Sequence, residues 1–181
     1  MDAPKISFVV LRILLVAASC SDDMASYSHR HALRSQNTIY GKILDDLELE
    51  DTRTIILLND STRYLDITRI RNRVTEHYPD IHSTLFSVYE EINQSSQRIE
   101  GIPPSRHRKV YFSGNYNGTV RDKDVYGLIS FSKIAYNDRN DQAIVAFEDY
   151  GAPLVAAASL AYFKYANHDW ELVGYSLIWI A

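Results

Sequence analysis

Residues Val125 to Tyr150 read VYGLISFSKIAYNDRNDQAIVAFEDY, two apolar runs rich in β-branched and aromatic residues around the polar stretch Asn137-Asp138-Arg139-Asn140-Asp141. Such runs suit a pleated, half-buried surface, and a turn-forming break between them marks a pair of strands. The pattern continues toward the C-terminus. Ser159 to Tyr165 and Trp170 to Ile180 are of the same kind, set off by Gly151-Ala152-Pro153 and by Asn167-His168-Asp169. Short polar connections favour antiparallel neighbours, because parallel pairing needs a long crossover. Upstream, Lys109 to Ser113 adds a strand before the turn-rich Gly114, Asn115, Asn117 and Gly118. In the last run both alternating sets carry bulky side chains, so that strand is covered on both faces or lies in a curved sheet.

Ahead of these strands the period changes to that of helices. Ile39, Tyr40, Ile43, Leu44 and Leu47 fall on one helical face, with Asn37 as the expected N-cap. Thr54 to Leu58 is a short apolar run ended by Asn59-Asp60, one buried strand. A second helix is expected over Asp66 to Tyr78, with Ile67, Ile70, Val74 and Tyr78 on one stripe and Pro79 closing it. Ser83 is the expected cap of a third, carrying Leu85, Phe86, Tyr89 and Ile92. Amphipathic helices need a surface to cover, and the strands provide it. The expected class is therefore α+β, N-terminal helices packed on a C-terminal antiparallel meander, with cone-like folds as the nearest analogy.

The first residues belong to a different category. Residues 6 to 19 read ISFVVLRILLVAAS, preceded by Lys5 and followed by Cys20, the one cysteine of the chain. A cation, an apolar stretch and small residues in that order describe an export signal, and the stretch is too short to span a bilayer, which needs about 20 apolar residues. Val16 to Cys20 is similar to the lipobox of bacterial lipoproteins, in which the cysteine thiol takes a lipid and becomes the new N-terminus. This gives residues 1–19 as signal, 20–37 as a polar tether and 38–181 as one domain. The implied location is the bacterial cell envelope, with a membrane anchor at Cys20; without lipidation it is the periplasm or the exterior. A single cysteine excludes an internal disulfide and a cysteine-based zinc site. A net charge of −4 gives no reason to expect nucleic-acid binding.

Tyr126 to Asn137, Gln142 to Val145, Tyr150 to Leu154 and Trp170 to Ile180 together resemble a family of uncharacterised bacterial proteins, commonly predicted to be secreted or lipid-anchored. Its members show a Phe-Ser-Arg-Val-Gly-Phe-Asn-like strand, a Gln-Ala-Leu-Val strand, a Cys-Gly-Pro-Leu-Cys-like bend and a closing strand ending Trp-Ile-Ser. The resemblance covers mainly the last 55 or so residues, with a weaker echo at Thr54 to Thr62. It implies the compartment and the strand pattern, and no activity. This chain departs from it at Ala135, where glycine is usual, at Tyr150 and Val155 or Ala156, where the cysteines would fall, and at Ala181, which replaces the final serine. A disulfide at the bend is therefore excluded here.

No nucleotide loop, nucleophile elbow, zincin or calcium-loop motif is present. His29 and His31 lack a third ligand at suitable spacing, His77 and His82 flank a helix end, His107 sits among basic residues and His168 in a turn. Ser130 and Ser132 share one strand, and the acids from Asp45 to Asp51 read as a solvated face. No catalytic, cofactor-binding or metal-binding residue is assigned. Two readings stand. In the first, a non-enzymatic envelope lipoprotein binds an unidentified protein or small molecule in an apolar cleft between helices and sheet. In the second, a hydrolase or isomerase uses Asp149, Glu148 or His107 at the sheet rim, which requires at least two of them within hydrogen-bond reach.

Overall fold

The four apolar residues Ile55–Leu58 form strand β1 in the interior of the sheet, with Ile56 and Leu58 fully buried and Leu57 nearly so. An unbroken apolar run fits a strand covered on both faces. The structure is a computed structural model and describes residues 33–47, 53–118, 122–152 and 155–181. The expected signal, the cysteine at position 20 and most of the expected tether lie outside the described residues. Helix α1 spans residues 33–46. Then follow β1, a 3₁₀ turn at Thr68–Ile70, α2 (Arg71–His77), α3 (Thr84–Ile92), β2 (Lys109–Phe112), β3 (Val125–Phe131), β4 (Ala135–Tyr136), β5 (Gln142–Ala152), β6 (Val155–Ala166) and β7 (Asp169–Ile180).

The strands make one seven-stranded sheet in the order β2-β1-β3-β5-β6-β7, with β4 also paired to β5. The antiparallel reading holds for β3, β5, β6 and β7. It does not hold for β2, because β1 pairs in parallel with both β2 and β3. The connection from β1 to β2 carries the 3₁₀ turn, α2 and α3, and so is long enough for a parallel return. The fold is α+β with a mixed sheet.

Helices cover both faces of this sheet. On one, Ile39, Tyr40, Ile43 and Leu44 of α1 pack against Ile56, Leu58, Ile129, Phe131, Val145, Phe147 and Phe163. Tyr40 stacks on Phe131 with ring centroids 4.3 Å apart. On the other, Ile67, Ile70, Val74, Leu85, Phe86 and Tyr89 pack against Ile144, Ala146, Ala158, Leu160 and Tyr162. Burying each large apolar side chain stabilises by about 1.5–3 kcal/mol, and the two layers place such side chains on alternate residues of β5 and β6. The apolar cleft expected between helices and sheet is therefore filled by core side chains.

Several boundaries differ from expectation for identifiable reasons. Helix α1 begins by residue 33, so Asn37 lies inside it and is not its cap, and residues 33–37 are helical rather than tether. Leu33, Arg34 and Gln36 are good helix formers, and polarity does not prevent a helix. Ser83 precedes α3 without a side-chain capping bond. Asp66 does act at the start of its segment, its Oδ1 accepting from the backbone N–H of Thr68 at 3.0 Å and from the Thr68 hydroxyl at 2.6 Å.

The single strand expected from Val125 to Tyr136 breaks at Ser132 to Ile134, because buried groups elsewhere take its backbone. Asn93 accepts from the N–H of Lys133 at 2.7 Å and donates to its carbonyl at 3.4 Å. Tyr40 Oη donates to the carbonyl of Ser132 at 2.7 Å. In β7, two register shifts leave Val173 and Ile178 without direct partners in β6, and each shift exchanges the faces of the residues beyond it. That accounts for bulk on both alternating sets. Along the outer side of β7, Arg73 of α2 donates to the carbonyl of Leu177, and Tyr78 Oη donates to that of Tyr175 at 3.3 Å. Gly174 leaves room for the Tyr78 hydroxyl, which a Cβ at that position would meet. Among the described residues no helix is long and apolar enough to cross a membrane.

Candidate functional site

Where the apolar run of β1 ends, the chain turns polar at once, and Asn59 to Tyr64 run past the carboxyl end of the strand. The backbone N–H of Asn59 donates to Ile129 and that of Arg63 to Phe131, so this segment follows β3 to its end. A second segment fixes its other side. Thr62 N–H donates to Gln97 O at 2.8 Å, Ile99 N–H to Asp60 O at 2.7 Å, and Ser96 Oγ to Thr62 O at 2.7 Å. The two segments flank an open, shallow cleft of about 710 Å³ whose walls include Asn59, Asp60, Arg63, Tyr64, Gln94 and Leu128.

Behind the cleft lies a buried polar layer. Ser130 on β3 and Glu148 on β5 are register partners, 1% and 8% exposed. Asn59 Nδ2 donates to Ser130 Oγ at 2.5 Å. Arg63 Nη1 lies 3.3 Å from Glu148 Oε2, so the least exposed carboxylate here has a cation as partner. These contacts hold the side chains of Asn59 and Arg63 from below. At the rim, Ser61 Oγ donates to Asp60 at 3.0 Å, and the Tyr64 ring is half exposed beside Tyr89. Partial burial, then the charges of Asp66 and Glu90, raise the pKa of the Tyr64 hydroxyl.

The rim site required by an acid/base mechanism is not assembled. Glu148 faces the α2–α3 layer, whereas the adjacent Asp149 faces the α1 layer and accepts from Tyr126 Oη at 2.7 Å. The Tyr126 ring carries the Arg108 guanidinium at 4.4 Å and that of Arg53 at 5.4 Å. His107 is exposed in the turn before β2, and no hydrogen bond or ion pair joins its ring to either acid.

The remaining candidates have structural partners. His77 packs edge-on against Tyr78, and His82 Nδ1 is 2.7 Å from Thr84 Oγ1. His168 occupies the β6–β7 turn with φ 65°, beside Asn167 at φ 51°. Ser132 Oγ accepts from the N–H of Ala146 at 2.9 Å and donates to Lys133 O. His29 and His31 lie outside the described residues, as do Glu48 to Asp51. Of the acidic run, Asp45 accepts from Ser105 Oγ at 2.8 Å and from Arg106 N–H at 2.7 Å. A second cavity of about 430 Å³ lies there, lined by charges of both signs, and Lys42 meets Asp169 across it at 2.9 Å. Among the described residues no three His, Cys, Asp or Glu side chains converge as a metal site.

The end of the strand at Asn59-Asp60 is legible in the sequence, and the site is not, since its parts come from four separated segments. The one local signal is the abrupt change from apolar to hydrogen-bonding side chains after Leu58. No protein-family model, curated protein or solved structure matches this chain. The functional reading therefore rests on the chemistry of the cleft.

Proposed function

We propose that this chain is a non-catalytic ligand-binding domain whose binding surface is the cleft at the carboxyl end of β1. The observation that carries the reading is the pairing of Asn59 and Arg63 with the buried Ser130 and Glu148, which positions polar side chains beside a rim of Asp60, Tyr64 and Gln94. Polar groups locked by partners behind them favour binding, because little side-chain entropy is lost when a ligand arrives. Commitment of Glu148 to Arg63 disfavours its use as a proton carrier. The domain acts from the bacterial envelope, anchored by lipid on Cys20. Support for that part is the apolar run before Cys20, and the resemblance of residues 126–137, 142–145, 150–154 and 170–180 to a family of bacterial proteins commonly predicted to be secreted or lipid-anchored.

Two measurements test the two parts. Amide chemical shifts of the labelled domain, screened against small polar fragments, should move first at residues 59–64 and 93–97. Shifts confined to the second cavity, or none at all, would reject the cleft as the binding surface. Membrane fractionation with intact mass, after bacterial expression of wild type and Cys20→Ala, should give a lipid-modified membrane form lost in the variant. A soluble, unmodified wild type would reject the anchor.

A further inference from the structure

Granting that the cleft binds a small ligand, we infer that its ligand is a neutral polyhydroxylated molecule of the carbohydrate class, with one ring face laid on Tyr64. Charge disfavours the simpler alternatives. An anion entering the cleft meets Asp60 at the rim and the fields of Asp66 and Glu90 around Tyr64, and the cation of the lining, Arg63, is already paired with Glu148. A cation is drawn to Asp60 and to the tyrosine ring, but Asp60 is the one acid of the lining and already accepts from Ser61 Oγ. The lining itself carries one acid and one base, Asp60 and Arg63, so hydrogen bonding and shape decide what binds.

The hydrogen-bonding groups are of a particular kind. Asp60, Arg63, Asn59 and Gln94 bring a carboxylate, a guanidinium and two primary amides to one cleft, each a planar fork with two donors or two acceptors side by side or one of each. Adjacent hydroxyls on a sugar ring present the matching pair of donor-acceptor groups at similar spacing. An exposed aromatic ring adds the complementary apolar surface, because the C–H face of a sugar packs on a π face while its hydroxyls reach the rim. Tyr64 is 50% exposed and forms part of the cleft wall. The volume of about 710 Å³ falls in the range of small-ligand sites.

The test is an amide-shift titration of the domain with a panel of neutral mono- to trisaccharides of gluco, galacto, manno and N-acetylated configuration. Spermidine and inorganic phosphate are the charged comparators. At least one saccharide should give saturable shifts at residues 59–64 and 93–97, unchanged by 0.5 M salt. Tyr64→Ala and Gln94→Ala should each weaken it tenfold or more, and Tyr165→Ala, an exposed ring on β6, should leave it within twofold. Cleft shifts produced only by spermidine or phosphate would overturn the carbohydrate class while leaving the cleft as a binding site. Absence of cleft shifts with every probe would overturn both.

Discussion

Replacing Gly41 by alanine sets two effects of opposite sign against each other. Gly41 lies inside α1, where alanine is favoured over glycine by about 1 kcal/mol. Propensity alone therefore predicts a more stable protein. The added Cβ, however, would fall below 3.0 Å from the carbonyl oxygen of Pro104, a separation real Cβ atoms essentially never show, and 3.5 Å from its Cγ. The obstructing atom is backbone, and the segment behind it is tied to the same helix. Ser105 and Arg106 donate to Asp45, one turn further along α1. Relief requires either lifting α1 from the sheet, which loosens Tyr40 on Phe131, or moving the loop, which stretches two bonds to a carboxylate. Overpacking of this kind costs about 1–3 kcal/mol, and each bond to a charged group contributes about 1.5–3 kcal/mol when intact. The net expectation is destabilisation by about 1–3 kcal/mol, measured by urea unfolding followed through the fluorescence of Trp170 and Trp179, with an unchanged m-value. A variant as stable as the wild type, or more so, would show that the loop yields freely and would refute the rigid approach of α1 to Pro104.

Three further outcomes follow from the buried polar groups. Asn93→Ala removes the side chain that holds both backbone groups of Lys133, and should cost about 2–3 kcal/mol and speed hydrogen exchange at the Lys133 amide. Arg63→Ala leaves Glu148 without its cation; because Arg63 is largely exposed and water reaches the pair, the cost should be about 1–2 kcal/mol. Adding Glu148→Gln should recover most of that loss, and additive costs in the double variant would show that the two side chains do not interact. Burial raises the hydroxyl pKa of Tyr89 to about 12, and that of Tyr40 further. Their folded-state values exceed the ordinary 10.0, so the stability they contribute is complete below pH 10 and is lost as pH rises through the raised values. Each adds about 1.4 kcal/mol of destabilisation per pH unit in that window. Tyrosinate absorbance from these rings should then rise together with loss of circular dichroism, and ionisation near pH 10 with the fold intact would contradict their burial.

How far the chain declares its fold depends on the range of the interactions involved. The helical face of Ile39, Tyr40, Ile43, Leu44 and Leu47 is legible because residues one turn apart must share a face, and all five are buried. The hairpins are legible because Asn140, Asn167 and His168 have positive φ, a conformation that Asn and His adopt more readily than most residues. The parallel pairing of β2 with β1 is not legible, since it depends on where a crossover of three helical segments returns. The break after β3 is set by Asn93, 40 positions away from Lys133, and no local pattern announces it. The cleft fails to show for the same reason: Asn59 meets Ser130 only because β1 lies beside β3.

The outer side of β7 bears on the behaviour of the protein in concentrated solution. A twelve-residue strand at the end of a sheet, with Val173 and Leu177 exposed, is the sort of template on which a strand from another copy can build. Here the carbonyls of Tyr175 and Leu177 are already held, by Tyr78 and Arg73 of the same chain. An incoming strand can pair across the middle of β7 only after the helical layer releases both, so growth of the sheet at this edge is coupled to local opening of the fold and slowed by its cost.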